Sequence, residues 1–164
     1  MDIKKELQDL CDRYKAEAEK ILEKAKAEKK VWKPVQGENY WFVGGNGDPC
    51  LSSWNDHAIS PEYRYSVGNC FKTEEEVKFA VEKLKVVAEL KRFAEEHNEK
   101  IDWMDDRTKK FCISYDNKNK KFDFDWNYLI HKAVTYFSSE EIAKAAIEAI
   151  GEERLKKYYF EVEG

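Results

Sequence analysis

The sequence predicts an α+β chain: a long N-terminal helix followed by two modules, each a β-hairpin or three-stranded sheet plus a helix. Three observations carry this. Apolar residues recur at steps of three and four from Ile3 to Ala25, the periodicity of one helix face. Two aromatic-rich, turn-punctuated stretches follow, rich in strand-forming side chains. Each leads into the same order of residue types: an aromatic, a hydroxyl, an acidic run and an apolar helical stripe. Phe71-Lys72-Thr73-Glu74-Glu75-Glu76-Val77 opens one copy and Phe137-Ser138-Ser139-Glu140-Glu141-Ile142 the other. The implied division is a helical arm over 1–33, a first module over 34–98 and a second over 99–164.

The first helix is expected over residues 2–31. Ile3, Leu7, Leu10, Tyr14, Ala18 and Ile21 form its stripe, and the intervening Lys, Glu and Ala are strong helix formers. Pro34 closes the segment, because proline disfavours helical geometry in the residue before it. Such a helix is roughly 43 Å long, more than a small two-module body covers, and Glu17, Lys24 and Glu28 interrupt a strict heptad. Two arrangements are open: the helix packs along its own chain, or it projects as an arm. In the second, Ile3, Leu7, Leu10 and Tyr14 meet a second copy or a partner, while the second half of the helix packs on the module beginning at Tyr40.

Residues 33–38 read as a linker marked by Pro34 and Gly37. Residues 40–43 and 51–54 read as strands across a turn with the hairpin signal Asn46-Gly47. Alternation over 63–67 suggests a third strand. Thr73 with Glu76 fits a capping box for a helix running to Glu96. In the second module, 111–115 and 122–126 read as strands around Asp116-Asn117-Lys118-Asn119, and 130–137 as a third. Ser138 with Glu141 reads as the second capping box, with Phe137 and Ile142 as a hydrophobic staple. Gly151 ends that helix, and a short helix over 152–160 is expected to carry Glu152–Lys156 and Glu153–Lys157 pairs.

Composition bounds function. The 164 residues carry a formal charge of −4 with 38% charged side chains, a mixed surface rather than a basic nucleic-acid-binding one. No apolar run approaches the ~20 residues that span a bilayer, and no signal-peptide core stands at the N-terminus. The expected location is the cytoplasm, with no membrane partner. Cys11, Cys50, Cys70 and Cys112 are scattered, without C-x-x-C or a His at zinc-ligand spacing, so they read as small packing residues and no metal or other cofactor is expected.

Candidate chemistry is sparse. His57 beside Asp56, with Cys50 or Cys70 as nucleophile, lacks an orienting third group. Gly44-Gly45-Asn46-Gly47 lacks the Lys-Ser/Thr and helix of a phosphate loop and reads as a hairpin turn. Asp102, Asp105 and Asp106 lack EF-hand spacing. Asp123 and Asp125 alternate with aromatics as the wet face of a strand. No catalytic residue is expected. The more informative set is Trp41, Trp54, Tyr63, Arg64, Tyr65, Trp103 and Trp126. These rings form core, or a protein-binding patch rich in Trp, Tyr and Arg, or a surface on which bases stack.

Trp32-Lys33-Pro34, Tyr40-Trp41, Trp54-Asn55-Asp56 and Gly68-Asn69-Cys70-Phe71-Lys72-Thr73, with the ending Phe137-Ser138-Ser139-Glu140-Glu141-Ile142 through Ile150-Gly151-Glu152, resemble small uncharacterised proteins of Firmicutes phages and prophages. The resemblance covers residues 32–92 and 122–160. It implies a phage or mobile-element origin. By analogy with small acidic phage accessory proteins, it implies a non-enzymatic chain that binds and inhibits a host protein, such as a CRISPR effector or another defence protein. Two further functions are compatible with the residues: a nucleic-acid or nucleotide-binding module using exposed aromatics, and a structural or assembly protein that oligomerises through the N-terminal helix.

Overall fold

The computed structural model describes residues 3–28, 31–131 and 133–162 and, within the first helix, the side chains of 7–24. The chain is α+β. Helix α1 spans Ile3–Glu28, the hairpin β1–β2 spans Asn39–Val43 and Pro49–Ser53, α2 spans Ile59–Ser66 and α3 spans Glu74–His97. The second half holds the hairpin β3–β4 at Lys110–Asp116 and Lys121–Asn127, helix α4 at Glu140–Ile150, a short α5 at Glu152–Arg154 and a π-helical turn at Leu155–Tyr159.

Both hairpins are antiparallel. Trp41 opposes Leu51 in the first and Ile113 opposes Phe124 in the second. The third member of each sheet is reduced to one residue. Trp41 and Phe71 exchange backbone hydrogen bonds of 2.9 and 2.8 Å, and Phe111 and Phe137 exchange a like pair of 3.0 and 2.8 Å. The side chain of Asn69 lengthens the first ladder: its Oδ1 accepts from Val43 N at 2.7 Å and its Nδ2 donates to Val43 O at 3.0 Å. An amide side chain thus stands in for a peptide group.

Neither predicted third strand forms. Residues 63–67 lie in α2 and its C-cap. Pro61 occupies the first turn of that helix, where its fixed φ suits helical geometry and its missing N–H has no partner to lose. Among the described residues of 130–137 only Phe137 pairs. Ala133 has φ +62°, a left-handed conformation that no extended strand contains.

The helix starts that follow the two bridges correspond residue for residue. Phe71, Thr73 and Glu74 occupy the places of Phe137, Ser139 and Glu140, sixty-six positions on. Thr73 accepts from Glu76 N at 3.2 Å while the Glu76 carboxylate accepts from Thr73 N at 3.2 Å, closing the predicted capping box. The second cap is Ser139 rather than Ser138, with Ile142 N donating to its hydroxyl at 3.3 Å. Its third helical residue is therefore Ile142, an apolar residue that cannot complete a box, and Phe137 stands one place too far out to staple. Ser138 instead joins the C-terminal end of α3. Its N–H donates to Asn98 Oδ1 at 2.9 Å, and its hydroxyl accepts from Glu99 N at 3.0 Å.

Helix α3 is shared by both halves. It packs on β1 and β2 and also on α4 and the π-helical turn. The main core joins Val86, Leu90 and Ala94 of α3 to Ile113, Phe137 and the Ala143, Ala146, Ile147 and Ile150 face of α4. Pro34, Tyr40, Trp54, Pro61, Val77 and Val81 are buried in the first half. The C-terminal segment is tied back by Arg154, whose guanidinium donates to both oxygens of Glu89 at 2.7 and 3.0 Å. Lys156 meets Glu152 at 3.6 Å as expected, while Glu153 pairs with Lys156 at 2.9 Å instead of Lys157.

The Arg154 hydrogen bond holds the Glu89 carboxyl below the usual carboxylate range, against the opposing effect of burial. A folded-state pKa below the unfolded one gives stability that is present above the unfolded value and is lost as pH falls through the folded value. Melting temperature is therefore expected to fall as pH drops from about 6 to about 3. Arg154→Gln is expected to flatten that acid limb. Thermal melts of both proteins across the range check this, and parallel limbs would refute it.

Candidate interaction surfaces

Helix α1 is the least covered element. Every described side chain from 7 to 24 is exposed, including Leu7, Leu10 and Leu22, with Tyr14 at 65% and Ile21 at 64% of full exposure. Residues 7–24 of the helix therefore do not pack along their own chain. The expectation that its second half lies on the module beginning at Tyr40 is also overturned, because Ile21 and Leu22 face solvent. Ile3 belongs to the predicted stripe, but its side chain lies outside the described residues. Lys, Glu, Gln and Ala favour the helical conformation along the segment, and the polar residues of its far side face water. The apolar stripe is left with no partner among the described residues.

The predicted aromatic set divides into two places. Around Tyr40 the rings and cations engage one another. Trp54 is 2% exposed, its indole N–H donates to Asp56 Oδ1 at 2.6 Å, and its ring meets Tyr40 and Tyr65 edge-on. The Lys33 ammonium lies 5.1 Å from the Trp54 ring centre and 5.0 Å from that of Tyr65, and pairs with Glu62 at 2.9 Å. Arg64 stacks its guanidinium 3.7 Å over Phe42 and donates to the Tyr40 hydroxyl at 2.8 Å. Trp41 is half-buried on the bridged strand. Trp54, Arg64 and Tyr65 thus hold the first hairpin to α2 instead of forming an open patch with Trp41. Tyr63 alone of this group is well exposed, at 68%, on the outer face of α2 with Ile59 and Val67.

The second place is on the other hairpin. Trp126 is 46% exposed, with Lys109 Nζ 4.3 Å above its ring centre and Tyr128 edge-on at 5.4 Å. Trp103 is 47% exposed and meets Tyr136 edge-on. Met104, Leu129 and Ile130 are also exposed, and sequence reasoning did not single them out because they lie in connectors with no periodicity. A further unforeseen residue ties these connectors together. Lys110 is fully buried, and its ammonium donates to the carbonyls of Thr108 and Tyr128 at 3.2 Å and of Asp105 at 3.4 Å.

The residues considered for catalysis are engaged in local structure. Burial pushes the Cys70 thiol up to about 11 and raises that of Cys112, which disfavours the nucleophilic thiolate. Cys50 Sγ donates to Asp48 O at 3.6 Å within the hairpin turn, where Gly47 has φ +83°, a conformation glycine tolerates. His57 is exposed on a loop. Asp102 and Asp105 cap turns: Asp102 accepts from Met104 N, and Asp105 accepts from Arg107 N and the Thr108 hydroxyl. Those hydrogen bonds, Arg107 N–H foremost, hold the Asp105 carboxyl below its ordinary range. Among the described residues no cluster of His, Cys, Asp and Glu is arranged to hold a metal ion, and no helix is long and apolar enough to cross a membrane.

The fold and these surfaces define a class: an α+β body built on two hairpin–helix units, carrying a projecting amphipathic helix. Compared with protein-family models, with curated proteins and with solved structures, the chain matches none.

Proposed function

We propose that this chain is a non-enzymatic phage-type accessory protein that binds and inhibits a host protein, a bacterial defence effector being the target class. The observation that supports the reading is the bare apolar stripe of α1. Leu7, Leu10, Tyr14, Ile21 and Leu22 stand in solvent on a helix whose described side chains are all exposed. Exposed apolar surface on this scale marks an association site. The rings and cations around Tyr40 are already paired with each other, which favours a protein partner over stacked bases. The exposed rings Trp103, Trp126 and Tyr128, of the aromatic types that dominate binding centres, are the surface assigned to the target.

The test is a plasmid-interference assay in a Firmicutes host with an active CRISPR effector, extended to other defence systems of the same host. The wild-type chain is expected to restore transformation, and Leu7→Glu with Leu10→Glu to abolish that effect. Because neither side chain packs on the body, the double variant is expected to unfold within about 0.5 kcal/mol of the wild type. A double variant that inhibits every system as the wild type does would refute the role of α1. A wild type that inhibits none would refute the target class.

A further inference from the structure

We infer that α1 pairs antiparallel with α1 of a second copy, about a two-fold axis at Tyr14. This rests on the reading of α1 as an association surface and names its occupant. The first argument is the spacing of the stripe. Leu7 and Ala18, Leu10 and Ile21, and Cys11 and Leu22 each stand eleven positions apart. An eleven-residue repeat advances 3.67 residues per turn, close to the natural helix, and keeps one face straight or slightly right-handed. On that repeat Glu17 and Lys24 cease to interrupt the core. They flank it, one place before Ala18 and one place before Ala25, on the same edge as Arg13 before Tyr14.

The second argument is symmetry. The apolar positions are arranged evenly on either side of Tyr14: Leu10 and Ala18 four places away, Leu7 and Ile21 seven places away. Laid antiparallel on a second copy, Leu7 meets Ile21, Leu10 meets the small Ala18, and Tyr14 meets Tyr14. That is the self-complementary contact a two-fold dimer requires.

The third argument is charge. Antiparallel packing sets the residue before one core position against the residue before another. Arg13, before Tyr14, then faces Glu17, before Ala18, and the symmetry makes the ion pair twice. By sequence position Glu6 and Lys24 stand in the same relation. On the other edge Cys11 faces Lys15, so no like charges meet there. A parallel pair in register sets Arg13 against Ala18 and Glu17 against Leu22, and these ion pairs are absent. In proteins most helical stability comes from packing an apolar face, and pairing supplies the packing that the body does not. The dimer carries its two bodies at opposite ends of a rod, so it can engage two target sites at once.

Two measurements test this. Sedimentation equilibrium of the full chain is expected to show mass rising with concentration from 19.4 kDa to twice that value, with Leu10→Glu plus Ile21→Glu remaining monomeric at unchanged far-ultraviolet helicity of the body. Oxidative cross-linking then reads the direction. Leu7→Cys chains are mixed with Ile21→Cys chains and the products mapped by mass spectrometry. The disulfide joining one chain of each kind through the two introduced thiols is expected in large excess over the one joining two Leu7→Cys chains. Native Cys11 is an internal control. Antiparallel pairing sets the two Cys11 residues six positions apart, roughly 9 Å along the axis, beyond disulfide reach, whereas parallel pairing sets them together. A predominant product linking two Leu7→Cys chains at position 7, or linking Cys11 to Cys11, overturns the antiparallel assignment. A wild type that stays monomeric overturns self-pairing altogether, and if Leu7→Glu with Leu10→Glu still abolishes inhibition of the host system, the proposed function stands without it.

Discussion

Phe137→Ala is expected to destabilise the chain by about 3–5 kcal/mol, the cost of deleting a phenyl ring from a closed core. Phe71→Ala is expected to cost clearly less, although the two residues hold equivalent places before their helices. Both residues form the same kind of backbone bridge, and alanine leaves those hydrogen bonds in place, so the difference isolates the side chains. Phe137 is fully buried among Leu90, Ile113, Ile147 and Leu155, with Phe111 and Phe124 packed around them. Phe71 is half-buried at the edge of a smaller cluster. Because the surroundings of Phe137 come from five separate segments, they cannot close over the gap together. Urea denaturation of both variants, compared at constant slope, measures the gap in stability. Equal losses would mean that the two halves contribute alike to the core.

That asymmetry sets the limit of what the residues disclose. The repeat is legible because caps and amphipathic stripes are local: Thr73 with Glu76, and the Val77, Val81 face, need only their own helix to be read. Hairpins are legible for the same reason, through Asn46-Gly47 and the Asp116–Asn119 turn. The third strands are not. Alternation over Tyr63-Arg64-Tyr65 is ambiguous over five residues, and Pro61 two places before Tyr63 favours a helix start as readily as a strand end. At the second cap either serine satisfies the local pattern. The choice is made by Asn98, forty residues away, which engages the Ser138 backbone. The aromatic set shows the same limit, since residue type does not give place. Whether Trp54 faces water or Tyr40 is decided by Lys33, Glu62 and Arg64, which belong to a linker and to a helix that the alternation conceals. The uncovered state of α1 is one of two arrangements the stripe allows, since a stripe states that a helix has a partner and not which chain supplies it.

Lys110→Met is expected to cost about 3 kcal/mol, although it replaces a charged side chain by an apolar one of similar length in a buried place. A charge in the interior is stabilising only when its hydrogen bonds are complete. Here they are: an ammonium has three donors, and the carbonyls of Asp105, Thr108 and Tyr128 accept them. The Asp105 carboxylate, held low first by the Arg107 N–H and in smaller part by Lys110 itself, supplies the opposing charge. Methionine keeps the buried stem but leaves three carbonyls without their donor, and losing hydrogen bonds to a charged group costs about 1.5–3 kcal/mol apiece before water rehydrates the loop. The effect is expected to be local as well as global. Lys110 joins the connector before β3 to the segment after β4, the two stretches that carry Trp103, Met104, Leu129 and Ile130 on their outer sides. Amide hydrogen exchange in the variant is therefore expected to rise first at 105–109 and 128–131, while α4 and the C-terminal half of α3 keep their protection. Inhibition of the host system is expected to weaken along with it, because the exposed rings lose the frame that orients them. A variant as stable as the wild type, with unchanged exchange in both segments, would show that water replaces the ammonium without loss. The Trp103–Trp126 region would then be held by its rings alone.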